Sequence, residues 1–117
     1  MTDSNISEPL TARSLEYAEN YVPLSEEVAQ ARNNAVKAGT PVPSKGVLAF
    51  LTFIAKTIKA ENVVEIGTGT GVSGLSLLQG MTGEVVLTSI DSQTEWQAQA
   101  RKTFRDAGYA SHHFRLI

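Results

Sequence analysis

Apolar residues recur at three- and four-residue spacing between Val47 and Ile58, which predicts an amphipathic helix of about 14 residues that packs on a sheet. Pro41 and Pro43 force the preceding segment into an extended conformation, and Ser44 is placed to cap the helix. The apolar positions of this helix are Val47, Leu48, Leu51, Ile54, Ala55 and Ile58.

Helix boundary signals also occur earlier in the chain. Ser25 is a suitable N-cap, two glutamates follow it at the positive end of the helix dipole, and Gly39 is placed just beyond the last turn. These signals predict a helix over about residues 25–38, within a helical region that begins near residue 11. Residues 1–10 hold little to bury and are predicted to form a flexible leader.

The hydrophobic period changes after residue 60. The segments "NVVEI" (62–66) and "EVVLTSI" (84–90) are short and rich in β-branched residues, and both are predicted to be buried strands. Between them, "VSGLSLLQG" (72–80) predicts a short helix. Ser92 and Glu95 form an S-x-x-E capping box that opens a further helix, which Gly108 closes. Two parallel strands joined by a helical crossover define the α/β class.

The last six residues, "HHFRLI" (112–117), predict the beginning of a third strand, where the sequence stops. A parallel sheet needs several strands and helices on both faces. Residues 11–117 are therefore expected to be the N-terminal half of a larger domain, truncated at the start of the third strand.

Composition narrows the classes of partner. Formal net charge is −2, with 10 basic and 12 acidic residues interspersed. This distribution predicts no basic surface that would bind nucleic acid or an anionic membrane. The absence of cysteine excludes disulfides and thiolate metal sites and favours a reducing cytoplasm. The N-terminus has no apolar core typical of a secretory signal. A soluble cytoplasmic protein that binds a small molecule or another protein is expected.

Three alternate glycines lie where the first strand must turn into a helix. Gly67, Gly69 and Gly71 suit a loop with positive φ and close approach of the backbone to a ligand, which is typical of a nucleotide cradle. Gly69, Gly71 and Gly74 also form a literal G-x-G-x-x-G, the pattern of nicotinamide dinucleotide sites. No lysine of a P-loop is present, which disfavours phosphoryl transfer.

Two acids flank this loop. Glu65 lies inside the apolar strand that leads into the glycines, where it would repel a pyrophosphate and attract a cationic amino or sulfonium group. S-adenosylmethionine carries both of these cations and no phosphate. Asp91 follows the second strand, 20 residues beyond Gly71, where it can accept hydrogen bonds from a ribose diol in either kind of ligand. Two alternatives stay open: an NAD(P)-dependent oxidoreductase, and a Glu65 that merely caps backbone amides.

The segments "VVEIGTGTGVSGLSLL" and "VLTSID" closely resemble the first motif and the acidic strand end of class I S-adenosylmethionine-dependent methyltransferases. Within that class the chain is most similar to bacterial O-methyltransferases related to catechol and caffeoyl-CoA O-methyltransferases. The similarity runs from about residue 25 to the end. Their motif E-[IVL]-G-T-x-[TA]-G-x-S is matched in register by Glu65, Ile66, Gly67, Thr68, Thr70, Gly71 and Ser73.

The resemblance implies a Rossmann-like fold, S-adenosylmethionine as cofactor and methyl transfer to a hydroxyl oxygen of a small acceptor. The backbone of the glycine loop would approach the cofactor directly. The implied cofactor-binding residues are Pro41, Val42, Glu65, Gly67, Thr68, Gly69, Gly71, Ser73, Asp91 and Ser92.

The resemblance also suggests individual roles. Glu65 would face the methionine amino end, Ser73 would bind the carboxylate end, and Asp91 would hold the ribose. Ser92 would lie near the adenine, and residues 41–42 would close over the cofactor. Both serines have an equally ordinary interpretation as helix caps.

Catalytic residues and metal ligands are not identified in this chain. Relatives that use a divalent metal take its ligands and the catalytic base from beyond the third strand, so any metal would be bound by residues outside this sequence. His112 and His113 are adjacent on a predicted strand, where they would face opposite sides and could not chelate one ion together. A third alternative is a catalytically silent module whose helices over residues 11–38 pack against a second copy, since relatives are often dimers.

Overall fold

The computed structural model describes residues 9–117, so most of the predicted leader lies outside the described residues. None of the helices in this range is both long and apolar enough to cross a membrane. The elements, in chain order, are α1 (Ala12–Glu19), α2 (Glu26–Lys37), α3 (Lys45–Thr57), β1 (Asn62–Ile66), α4 (Val72–Gly80), β2 (Val86–Ile90), α5 (Thr94–Asp106) and β3 (Phe114–Leu116).

The three strands form one parallel sheet in the order β1-β2-β3. In the register between β1 and β2, Glu65 is paired with Ser89. Ser89 is in turn paired with Leu116 of β3. Helices α4 and α5 provide the two crossovers, which confirms the predicted α/β class and the predicted order of strand, helix, strand and helix.

The predicted boundaries of α2 and α3 are confirmed by their caps. The side chain of Ser25 accepts a hydrogen bond from the amide of Val28, and Gly39 follows α2 with a φ of 75°. The side chain of Ser44 accepts from the amide of Val47 at the start of α3. Each of these signals is local, so the sequence identifies the boundary without knowledge of the tertiary structure.

Helix α3 packs on α4 and not on the sheet, so the predicted packing partner is wrong. The two helices approach closely at Gly80, where an added Cβ would lie 2.3 Å from the carbonyl oxygen of Thr52. The Thr52 hydroxyl donates to the carbonyl of Ser76 at 2.7 Å. Helix α4 is buried on almost every side, since it lies between α3 and the sheet. Leu48 and Ala55 of α3 are buried at this contact.

The strands are buried on one face only within residues 9–117, which corrects the prediction of two buried strands. Leu87 and Ser89 are fully buried beneath α4 and α5, together with the core residue Phe104. The opposite face of β1 carries Val64 and Ile66, whose exposed fractions are 66% and 80%. The described helices cover the face of Leu87 and leave this second face open.

The start of α5 differs from the predicted capping box. Its N-cap is Gln93, with no side-chain cap, and Ser92 precedes it. The carboxylate of Asp91 accepts a hydrogen bond from the amide of Gln93 at 2.9 Å. The helix thus begins after an aspartate turn, with its N-cap one residue later than the predicted box requires. The predicted pairing of Ser92 with Glu95 is therefore wrong.

The third strand begins later than predicted. Residues Ser111–His113 form a 3-10 turn, and the strand starts at Phe114. The rings of His112 and His113 lie 4.0 Å apart between centroids, so they do not face opposite sides as strand residues would. Nδ1 of His113 lies 2.9 Å from the carbonyl oxygen of Val85, and this contact holds the turn against the start of β2.

Candidate functional site

The loop between β1 and α4 has the predicted backbone conformation. Gly67, Gly69 and Gly71 have φ values of 95°, 53° and 95°. Gly71 is the N-cap of α4 and provides no side-chain hydrogen bond, so the first amides of the helix are left open toward the loop. A Cβ on Gly71 would also lie 3.0 Å from Cα of Ala100, so the loop packs tightly against α5.

The last glycine of the G-x-G-x-x-G pattern serves helix packing. A Cβ on Gly74 would lie 2.8 Å from Cζ of Phe104 and 2.9 Å from Oε1 of Glu65. The third glycine of a dinucleotide fingerprint has the same packing role, so Gly74 does not distinguish a dinucleotide from another nucleotide.

Glu65 is mostly buried beneath the loop and is bonded to two serines. The Ser89 hydroxyl donates to Oε1 at 2.7 Å, and the Ser73 hydroxyl donates to Oε2 at 3.0 Å. These partners are side chains, so the interpretation of Glu65 as a cap for backbone amides is wrong. Burial raises the pKa of Glu65, and the hydrogen bonds from Ser89 and Ser73 oppose that rise.

Asp91 connects the end of β2 to the glycine loop. Its Oδ2 accepts from the amide of Gly69 at 2.9 Å, and its Oδ1 accepts from the amide of Gln93 at the same distance. The hydrogen bond from Gly69, followed by that from Gln93, lowers the pKa of Asp91. The site therefore combines an acid held in its ionised form with a buried acid whose charge is costly.

A cavity of about 270 Å³ lies between the glycine loop and the extended segment that precedes α3. It brings together six of the ten residues predicted for the cofactor site. Those six are Pro41, Val42, Gly67, Thr68, Gly69 and Ser73.

The other four predicted residues lie around this cavity without lining it. Glu65 is joined to it through the hydroxyl of Ser73, and Asp91 through the amide of Gly69. Gly71 is buried against α5, and Ser92 is exposed beyond the end of β2.

Four residues of the site were not predicted from the sequence. Pro43, Thr70 and Val72 also line the cavity, and Ser89 holds Glu65 from β2. Ser89 did leave a signal, because a polar residue in an apolar strand pairs with the acid of the neighbouring strand. The hydroxyl of Thr70 is buried without a hydrogen-bond partner among the described residues.

A second cavity of about 280 Å³ lies between α2 and α5. It includes Glu26, Glu27 and Asp106 among its lining residues, and it contains neither the glycine loop nor Asp91. Its size is similar and it includes the first turn of α2, but Ser25 caps that turn and no lining residue has the positive φ that suits a nucleotide loop. The cavity at the loop is therefore the better candidate. Residues 9–117 contain no group of three or more His, Cys, Asp or Glu side chains placed to hold a metal ion.

This fold and glycine loop are typical of nucleotide-binding α/β units, and comparison with known proteins identifies the family. The O-methyltransferase family model matches residues 16–116. The chain therefore belongs to the O-methyltransferase family. A Mycolicibacterium vanbaalenii protein that carries the name O-methyltransferase is 45% identical over 101 residues, which are 86% of this chain and 45% of its own length.

Solved structures have the same fold. A Corynebacterium glutamicum protein is 32% identical, with a TM-score of 0.74 over 88% of this chain and 49% of its own. An O-methyltransferase from Bacillus cereus, crystallised in complex with SAH (S-adenosylhomocysteine), is 19% identical, with a TM-score of 0.77 over 92% of this chain and 49% of its own. The chain spans about half the length of the relatives that it matches.

Proposed function

We propose that residues 11–117 are the cofactor-binding half of an S-adenosylmethionine-dependent O-methyltransferase, which transfers a methyl group to a hydroxyl oxygen of a small-molecule acceptor. The observation that carries this proposal is the buried carboxylate of Glu65 beneath the glycine loop. Glu65 forms no ion pair within residues 9–117, and its pKa is raised by burial. A cationic ligand group beside it would offset the cost of that charge.

The charge of Glu65 favours an adenosyl cofactor over a dinucleotide. S-adenosylmethionine and S-adenosylhomocysteine both carry a cationic amino group, and neither carries phosphate. A pyrophosphate at the loop would be repelled by Glu65 at short range in an environment of low effective dielectric. Membership of the O-methyltransferase family supports the same choice, as does the bound SAH of the Bacillus cereus protein. The oxidoreductase alternative has no comparable support.

Asp91 retains the capacity to hold a ribose. Each of its carboxylate oxygens accepts one backbone amide, and an ionised carboxylate offers about four acceptor positions in all. The remaining positions suit the two hydroxyl donors of a ribose diol. The amide of Gly69 fixes the carboxylate at the loop, so the acid is oriented before a ligand arrives.

The other site residues would orient the cofactor and limit its contact with water. The bound cofactor would supply the methyl group on its sulfonium, and the chain would hold it by the backbone of Gly67 and Thr68. Ser73 would contact the methionine end, and Pro41 and Val42 would form the facing wall. Rate acceleration would then come from orientation and the exclusion of water. The predicted cytoplasmic location and homodimer remain predictions.

Calorimetric titration of the 117-residue chain tests the proposal directly. S-adenosylhomocysteine is expected to bind, and NAD at the same concentration is expected not to. Binding of NAD without binding of S-adenosylhomocysteine would favour the oxidoreductase. If neither ligand bound, the catalytically silent module would replace the proposed function.

A further inference from the structure

A chain of buried hydroxyl groups lies between the glycine loop and Glu65. Oγ1 of Thr68 lies 2.7 Å from Oγ of Ser89, which lies 2.7 Å from Oε1 of Glu65. The exposed fraction is 2% for Thr68 and 0% for Ser89. Ser89 is thus inaccessible to a ligand, unlike Ser73, which lines the cavity.

The charge of Glu65 determines which hydroxyl group donates in each of these hydrogen bonds. An ionised carboxylate only accepts, so Ser89 must give its single hydroxyl proton to Glu65. The remaining contact of the Ser89 oxygen is with Thr68, which must then donate to Ser89. The hydrogen bonds therefore run from Thr68 through Ser89 to Glu65 while Glu65 is charged. Successive hydrogen bonds of this kind strengthen one another in a low-dielectric interior.

We propose that Thr68 and Ser89 are positioning residues that fix the orientation and charge of the Glu65 carboxylate and tie it to the conformation of the glycine loop. This inference rests on the proposed function in that Glu65 faces the cationic end of the cofactor. Thr68 is the residue between Gly67 and Gly69 and lines the cavity, and its hydroxyl joins the loop to Ser89 of β2.

The surroundings of Glu65 leave few other groups that could set its charge. Strand β2, helix α4 and the loop between β1 and α4 contact Glu65 or its serine partners, and none of them contains an ionisable side chain. Asp91 is bonded to the same loop through Gly69. Its own hydrogen bonds involve neither Ser89 nor Thr68 side chains, so substitutions at those two positions leave it in place.

Carbon-13 NMR titration of the Glu65 carboxyl in the ligand-free 117-residue chain tests the inference. Ser89→Ala removes a donor to the charged form and is expected to raise the pKa of Glu65 by about 1. Thr68→Val keeps the shape and removes the outer hydroxyl, so a smaller rise is expected. Thr68→Ser keeps the hydroxyl and should restore the wild-type value.

Ser76→Ala is the matched control. Ser76 is also fully buried, but its hydroxyl donates to the carbonyl of Val72 within α4 and has no contact with Glu65. The pKa of Glu65 should not change in this variant. Amide NMR spectra establish whether each variant is folded. If Ser89→Ala does not fold, comparison of Thr68→Val with Thr68→Ser tests the inference by itself.

The pH dependence of S-adenosylhomocysteine affinity provides a second readout. Affinity should be lost as the pH falls through the pKa of Glu65, and Ser89→Ala should move that loss to higher pH by the same amount as the change in pKa seen by NMR. An unchanged Glu65 pKa in Ser89→Ala and Thr68→Val would overturn the inference. If the Glu65 pKa rose in these variants but the protein bound no S-adenosylhomocysteine, the role of Thr68 and Ser89 would be supported and the proposed function would be contradicted.

Discussion

Replacing Glu65 with Gln removes a buried charge from beneath the glycine loop and keeps the size of the side chain. Two effects oppose each other in the ligand-free chain. Each of the two serine hydrogen bonds weakens from about 1.5–3 kcal/mol, for a charged acceptor, to about 0.5–1.5 kcal/mol. Burial of the charge acts in the other direction. The raised pKa of Glu65 shows that burial outweighs the hydrogen bonds, so the neutral amide should stabilise the fold at neutral pH.

The sign of the pH dependence follows from the raised pKa. The folded-state pKa of Glu65 lies above its ordinary value of 4.5. The stability that Glu65 contributes is therefore fully present below pH 4.5 and is lost as the pH rises through the folded-state pKa. Gln does not titrate, so the advantage of the variant should be small in acid and grow toward neutral pH. A tenfold change in an acid's dissociation constant between the unfolded and folded states corresponds to about 1.4 kcal/mol of stability.

The same substitution should weaken cofactor binding. Loss of one charge-assisted hydrogen bond, worth about 1.5–3 kcal/mol, corresponds to roughly a tenfold to hundredfold loss of affinity for S-adenosylhomocysteine. Glu65→Gln is thus expected to gain stability and lose binding together. An acid with a purely structural role would not show this combination.

Scanning calorimetry from about pH 4 to about pH 8, with ligand titration at neutral pH, measures both effects. About 1 kcal/mol shifts the melting temperature of a domain of this size by roughly 3 to 6 °C. Glu84→Gln is the control, since Glu84 is an exposed acid between α4 and β2. A melting temperature below wild type at neutral pH, or a difference that does not vary with pH, would refute the reasoning about stability. Equal affinity of wild type and Glu65→Gln for S-adenosylhomocysteine would refute the role of Glu65 in binding the cationic end of the cofactor.

Two further substitutions test the ribose site and the contact between α3 and α4. Asp91→Asn should reduce affinity for S-adenosylhomocysteine about tenfold or more, because a neutral amide is a weaker acceptor for a ribose diol. Calorimetry checks this, and equal binding of adenosine and 2′,3′-dideoxyadenosine forms of the ligand would contradict it. Gly80→Ala should lower the free energy of unfolding by about 1–3 kcal/mol or more, because the new Cβ would lie 2.3 Å from the carbonyl oxygen of Thr52. Urea denaturation measures this free energy. Helix propensity alone would make the alanine variant more stable by about 1 kcal/mol, and that result would contradict the prediction.

Features set by local chemistry were predictable from the sequence. The caps at Ser25 and Ser44 depend on a hydroxyl and an amide three residues away. The positive φ values of Gly67, Gly69 and Gly71 follow from a strand that must turn at once into a helix. The acidic ends of β1 and β2 meet at the same edge of the sheet because the strands are parallel and in register.

Features set by tertiary contacts were not predictable in the same way. The apolar stripe of α3 indicates a buried face and does not identify α4 as its partner. That choice depends on Gly80, where the lack of a Cβ permits close approach. The start of α5 depends on Asp91, which accepts the amide of Gln93 in a turn that places the N-cap one residue after Ser92. Ser89 acquires its role only once β1 and β2 are paired.

Chemical-shift mapping with S-adenosylhomocysteine, by amide NMR of the 117-residue chain, tests the location of the proposed site most directly. The largest chemical-shift changes are expected at Gly67 through Ser73 and at Asp91, with none in the cavity between α2 and α5. NAD at the same concentration should leave these amides unchanged. Saturable changes confined to α2 and α5, or a loop that responds to NAD and not to S-adenosylhomocysteine, would contradict the assignment of the glycine loop as the methyl donor's site.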